Sequence, residues 1–147
     1  KICSALTDAG LAAHHLTLEI TESTLMRNVA AGVSVLNGLR ALGVATAIDD
    51  FGTGYSSLAY LKDLPIDYLK IDRMFVKDIV SSSHDAAIAS SIIALAHNLG
   101  LQVIAEGVED EEVLDVLQVF GCDQYQGFYF ARPVAAAEIP ILARRCA

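Results

Sequence analysis

Three glycines set the frame for this chain. Gly43, Gly100 and Gly121 each close a stretch of helical periodicity and stand shortly before an apolar run. Glycine just past a helix enters the left-handed conformation without steric cost, so each marks a helix end and a turn into a strand. The helical stretches read as Ile2–Leu11, Val29–Leu42, Ser57–Leu64, Asp85–Leu99 and Glu111–Phe120, with a last one over Ala135–Cys146 that contains Pro140. The strand-like runs read as Leu16–Thr21, Val44–Asp50, Tyr68–Asp72, Val103–Val108 and Gln124–Phe130. Strand and helix in strict alternation predict a parallel sheet with right-handed crossovers.

A doubly wound sheet and a closed barrel both meet that pattern. Polar residues near the strand ends favour the barrel. Glu19 lies between Leu18 and Ile20, and Lys70 between Leu69 and Ile71. A central strand of an open sheet is apolar on both faces, whereas a barrel accepts charge at its C-terminal mouth. The expected fold is a (β/α)8 barrel of the TIM type. A whole one takes about 250 residues, so this chain of 147 covers about the last five strands and their helices. It reads as one domain lacking its N-terminal third, and the absence of an initiator Met agrees with a piece of something longer.

Composition removes several classes of function. The formal net charge is −8, and the one local basic pair is Arg144-Arg145, so a DNA or RNA polymer is not the expected partner. No apolar run reaches the roughly 20 residues of a membrane span, and no signal peptide is visible. Cys3, Cys122 and Cys146 are odd in number and far apart, which fits neither a zinc site nor a disulfide framework. A reducing cytoplasmic setting is expected, including the cytoplasmic part of a membrane-anchored protein.

Chemistry gathers at the strand ends. Asp49-Asp50-Phe51-Gly52-Thr53-Gly54-Tyr55-Ser56-Ser57 is the sharpest motif. Neighbouring carboxylates on a strand point to opposite faces, so they share a site only if the strand breaks there. Such a pair can serve two hard cations about 3.5–4 Å apart. The plainer alternative is a turn in which Ser56 or Ser57 caps the next helix. Glu19 stands on the polar side of its strand, and Glu22 three residues on suits a helix start. Lys70 and Asp72 lie on one face of the third run, where a lysine is costly unless paired. It either forms an ion pair with Asp72 or Asp49, or holds a water or phosphate oxygen. Glu106 ends its strand before Gly107, Glu109 opens the acidic stretch through Glu112, and Gln126 comes from the last strand. His14, His15 and His97 lack metal spacing, and Tyr125, Phe128, Tyr129 and Phe130 read as barrel and helix packing, with a ring near the mouth stacking on a nucleobase as the alternative.

Taken together, Leu18-Glu19-Ile20-Thr21-Glu22-Ser23, Asp49 through Leu58, Leu69-Lys70-Ile71-Asp72, Ala105-Glu106-Gly107-Val108-Glu109 and Gln126-Gly127-Phe128 resemble the EAL domain family in order and spacing. These are bacterial phosphodiesterases that open cyclic di-GMP to linear pGpG with two divalent cations, Mg²⁺ or Mn²⁺. The resemblance implies that Glu19 and Asp49 bind one metal. It makes Asp50 a ligand of the second and the holder of the attacking water, which Lys70 orients. Asp72 and Glu106 are implied at or around the second metal, with Glu106 and Asp50 beside Lys70 in catalysis. Glu22 is implied to anchor the loop after Asp50 through Thr53, and Gln126 and Glu109 to support the site. A homodimer is implied, and an upstream sensor or diguanylate cyclase-like domain is compatible. The family's Glu-Ala-Leu motif and Asn ligand are missing, so the isolated chain is expected to be inactive. The alternative is a silent module that binds cyclic di-GMP or another protein without cleavage.

Overall fold

Five parallel strands lie side by side in the order in which the chain makes them: β1 (Thr17–Thr21), β2 (Ala45–Phe51), β3 (Tyr68–Ile71), β4 (Gln102–Glu106) and β5 (Gln124–Gln126). This computed structural model describes residues 1–53 and 58–143. The expected caps at Ser56 and Ser57, the pair Arg144-Arg145, and Cys146 fall outside the described residues. A doubly wound sheet reverses its strand order at a switch point. Here every strand pairs with its sequence neighbours and none is skipped, which is the winding of a barrel wall. The sheet is a five-stranded arc of such a wall, with β1 and β5 at its margins.

The helices are α1 (Ile2–Ala9), α2 (Glu22–Arg27), α3 (Val29–Ala41), α4 (Leu58–Leu61), α5 (Arg73–Val76), α6 (Ser83–Asn98), α7 (Glu111–Val119) and α8 (Ile139–Ala143). The glycine frame is borne out: Gly43, Gly100 and Gly121 all have φ between 76° and 79°. Burial follows position in the arc. Ile48, Leu69, Ile71, Val103 and Ala105 from β2, β3 and β4 are buried, and Ala89, Ile93, Ala96, Val113 and Leu117 of α6 and α7 cover them. Transferring side chains of this size from water contributes about 1.5–3 kcal/mol each for the larger ones.

Several boundaries differ from the sequence expectation. Helices α2 and α5 follow their strands with no intervening glycine; α2 starts at Glu22, as its carboxylate suggests, whereas no pattern in the sequence marks α5. Thr21 and Asp72 act as N-caps, accepting from the N–H groups of Thr24 and Met74. Strand β4 stops at Glu106 because Gly107 turns with φ 73°. Strand β5 ends at Gln126, short of the expected Phe130, and Gly127 there presses on the backbone of Val108 where no Cβ would fit. The last helical segment divides into a 3₁₀ turn at Ala136–Glu138 and the short α8, with Pro140 in the first turn of α8, where proline is tolerated.

At the N-terminal floor of the sheet, two aspartates do the same job. Asp67 precedes β3 and accepts the N–H of Thr46 on β2 at 2.8 Å. Asp123 precedes β5 and accepts the N–H of Val103 on β4 at 2.8 Å. Each satisfies a buried strand donor that the ladder does not reach. Among the described residues, no helix is long and apolar enough to cross a membrane.

Candidate metal and catalytic centre

Strand register places the site. Glu19 of β1, Asp49 of β2, Lys70 of β3, Glu106 of β4 and Gln126 of β5 all stand at or near the C-terminal ends of five adjacent strands. Lys70 is 3 % exposed, and its Nζ lies 2.7 Å from Glu19 Oε2, 3.1 Å from Asp49 Oδ1 and 2.5 Å from Glu106 Oε1. Burial alone would lower the pKa of this ammonium. Hydrogen bonds to Glu106, Glu19 and Asp49 outweigh burial and raise it well above the ordinary lysine value. The side chain is therefore a fixed cation, held by carboxylates from three different strands.

The two aspartates reach the mouth together because the strand breaks. The pairing of β2 with β3 shifts register between Ile48 and Phe51, and Asp50 has φ 56°. A left-handed aspartate at a strand end is a local cost accepted for direction. Asp49 Oδ1 then accepts the N–H of Asp50 at 3.0 Å. Burial, the charges of Asp49 and Asp72, and hydrogen bonding to Asp72 raise the pKa of Asp50, against the pull of Lys70. A carboxylate crowded in this way gains from an added cation.

Some sequence readings need correction. Lys70 pairs with Asp49, not with Asp72. Asp72 has left the strand face, and its Oδ1 accepts the N–H of Met74 at 2.7 Å as the cap of α5. Glu22 is buried and does anchor the loop after Asp50, but its Oε2 accepts the N–H of Gly52 at 3.2 Å. Thr53 is held instead by Asp50, to whose carbonyl its Oγ1 donates at 2.8 Å. Phe128, Tyr129 and Phe130 are 47 %, 41 % and 40 % exposed, not core residues. They follow a marginal strand with one neighbour, and Phe128 stacks under Arg132 at 4.6 Å beside a cleft of about 510 Å³.

Glu109 forms an ion pair with Arg73 at 2.9 Å, a partner that the sequence reading missed although Arg73 directly follows Asp72. Arg73, Glu106, Glu109, Gln126 and Phe128 line a smaller cavity of about 200 Å³ at the mouth. Of the acidic residues that follow, Asp110 caps α7, and Glu111 and Glu112 lie in its first turn. His97 lies at the opposite end of the sheet, bonded to Asp123 at 2.9 Å.

Among the described residues, no three Asp, Glu, His or Cys side chains are set as a finished metal cage. The Lys70 ammonium stands among Glu19, Asp49 and Glu106. The donor set around it is oxygen only, which suits hard divalent cations and not zinc or copper. A buried cation already satisfied by three carboxylates shows that this position accepts positive charge.

The comparisons with known proteins agree with the geometry. The family model described as "EAL domain" matches residues 1–133. The cyclic di-GMP phosphodiesterase NbdA of Pseudomonas aeruginosa is 52% identical over 139 residues, which is 95% of this chain and 18% of NbdA. The structure of the PaMucR phosphodiesterase in complex with c-di-GMP superposes with a TM-score of 0.89 at 48% identity, covering 94% of this chain and 56% of that one. A manganese/cyclic di-GMP complex of Klebsiella pneumoniae BlrP1 gives 0.83 at 39% identity, covering 90% and 34%. The chain spans about a fifth of the length of the curated relatives it matches. With the family model covering most of its length, and with the strand-end motifs gathered at one mouth of a parallel barrel wall, this chain belongs to the EAL domain family.

Proposed function

We propose that this chain is the C-terminal part of a metal-dependent phosphodiesterase domain that hydrolyses cyclic di-GMP to linear pGpG. The observation that carries the reading is the single buried Lys70 ammonium tied to Glu19, Asp49 and Glu106 from three other strands. Such a constellation is costly as a device for stability, because desolvating the charges offsets much of their attraction. It suits a site that must hold several carboxylates close together and exchange cation partners.

In this reading Glu19, Asp49 and Asp50 hold two divalent cations, Mg²⁺ or Mn²⁺, with Asp72 and Glu106 around them. When bound there, the cations would supply Lewis-acid charge for activating water and for offsetting negative charge at phosphorus. Once Glu19 and Asp49 turned to the cations, Lys70 would have donors free to orient the attacking water, which Asp50 would hold. Glu22 keeps the Asp50 loop in place through Gly52. Gln126 and Glu109 border the cavity on the far side of Glu106 and position the ligand there. The acidic chain meets its anionic ligand through the cations. The proposed setting is the cytoplasm and the proposed assembly a homodimer, with which an upstream sensor or diguanylate cyclase-like domain is compatible.

The test is direct. The full-length protein carrying this chain is given cyclic di-GMP with Mg²⁺ or Mn²⁺, and pGpG is followed by chromatography beside Glu19→Ala. Release that the substitution abolishes is the expected result, with none from the isolated 147 residues. Tight binding without release would move the assignment to a silent sensor, and neither binding nor release would refute both.

A further inference from the structure

Helix α5 has four residues, yet it reaches both loops that flank its strand. On one side is the loop after β2. A Cβ placed on Gly52, at φ 90°, would lie 3.1 Å from Phe75 Cε2 and 3.8 Å from Ile92 Cδ1. The N–H of Gly52 donates to Glu22. Gly52, two residues past Asp50, is thus fixed by a hydrogen bond and by an aromatic ring. On the other side is the loop after β4. The aliphatic stem of Arg73 lies across Gly107, where φ is 73° and no Cβ would fit. Its guanidinium holds Glu109 at 2.9 Å. Gly107 adjoins Glu106. Between the two arms, Asp72 caps the helix and its carboxyl borders Asp50.

We infer that Arg73 and Phe75 are positioning residues, and that α5 is a strut setting the spacing between the Asp49-Asp50 side and the Glu106 side of the site. The inference rests on the reading of that site as a metal-dependent phosphodiesterase. The glycines support it: Gly52 and Gly107 follow β2 and β4, the acidic strands on either side of β3, and the space a side chain would need at each is filled from α5. Arg73 and Glu109 are 58 % and 46 % exposed, so their ion pair contributes little to global stability. Its consequence falls on the loop.

The experiment uses the full-length protein with Arg73→Ala, Arg73→Lys and Phe75→Leu. The readouts are Mn²⁺ affinity by calorimetry, kcat and KM for cyclic di-GMP, Tm, and amide exchange at Gly52 and Val108. The Val108 amide is chosen because it donates to the carbonyl of Gln126 at 3.1 Å. Arg73→Ala is expected to lower Mn²⁺ affinity and kcat about tenfold, as removal of a supporting partner does. Tm should stay within about 2 °C. Arg73→Lys, which keeps stem and charge, recovers most of the loss. Exchange should quicken at Val108 in Arg73→Ala and at Gly52 in Phe75→Leu, each without the other. Unchanged metal affinity, or exchange that rises equally at both amides, overturns the strut. If the unsubstituted protein neither binds Mn²⁺ nor turns over, the phosphodiesterase reading fails on its own, and side-selective exchange still decides whether α5 braces the two loops.

Discussion

The two ends of the sheet use the same residue types for opposite purposes. At the floor, Asp67 and Asp123 accept strand N–H groups of Thr46 and Val103. These carboxylates are spread one to a strand pair and answer a need of the backbone. At the mouth, Glu19, Asp49 and Glu106 converge on one ammonium, with Asp50 and Asp72 crowded beside them. Nothing in the backbone requires that convergence. A carboxylate that satisfies a local donor is explained by the fold alone. A set that raises its own electrostatic cost calls for a ligand.

The contrast breaks most sharply at Lys70. Lys70→Met leaves the mouth carboxylates facing each other without a cation. Removing one partner of a buried pair costs about 3–5 kcal/mol, and partial solvation of the carboxylates puts this case near 3. Thermal unfolding should show the loss without metal, and Mn²⁺ should restore more stability to the variant than it adds to the parent chain. An unchanged Tm in metal-free buffer would remove the electrostatic account of the mouth. At the floor, Asp67→Ala and Asp123→Ala each strand a buried N–H, at about 1–3 kcal/mol. Denaturant melts should shift by that amount, while turnover per folded molecule in the full-length protein stays at the parent level. A fall in kcat from either floor variant would erase the distinction between the ends.

Glu19→Gln sharpens the same contrast from the other direction. Glu19 is 46 % exposed and shares Lys70 with two other carboxylates, so stability should change by less than about 1 kcal/mol. Mn²⁺ affinity, read by titration, should fall about 10–100-fold. A stability loss as large as that of Lys70→Met, with metal affinity intact, would make Glu19 a structural partner only.

The sequence disclosed the mouth more fully than the floor. Gly43, Gly100 and Gly121 announced three helix ends, and Asp49-Asp50, Asp72 and Glu106 after apolar runs announced strand ends, because each is a local signal with a local cause. The winding was not decidable from alternation alone: only sequential pairing of β1 through β5 separates a barrel wall from a doubly wound sheet. Helix α2 was legible in Glu22, but α5 was missed because Asp72 acts as strand end and helix cap at once. Glu22 bonding to Gly52 sits beside a register shift in β2 that no residue pattern records, and Lys70 lacks Asp72 as a partner because Asp72 caps α5. The aromatic run after Gln126 read as core because it is apolar. It is exposed because its strand lies at the margin of the arc.

The smallest expected effect concerns acid. Burial would raise the pKa of Asp123, but hydrogen bonds from His97 and the Val103 N–H, with the nearby His97 charge, hold it below the ordinary aspartate value of 3.8. The sign follows from linkage: a depressed carboxylate adds stability that is present above its unfolded-state pKa and lost as pH falls through its folded one. Asp123→Asn keeps an oxygen for Val103 but cannot ionise. The parent chain should therefore be the more stable of the two at neutral pH, by less than an Asp123→Ala change costs, since the pair with His97 is only partly buried. Urea midpoints of the two chains should draw together as the pH falls below 3.8. If the gap stayed constant down to that range, the floor carboxylate would act through shape rather than charge. The two ends would then differ in the nature of their chemistry and not only in how tightly their carboxylates are gathered.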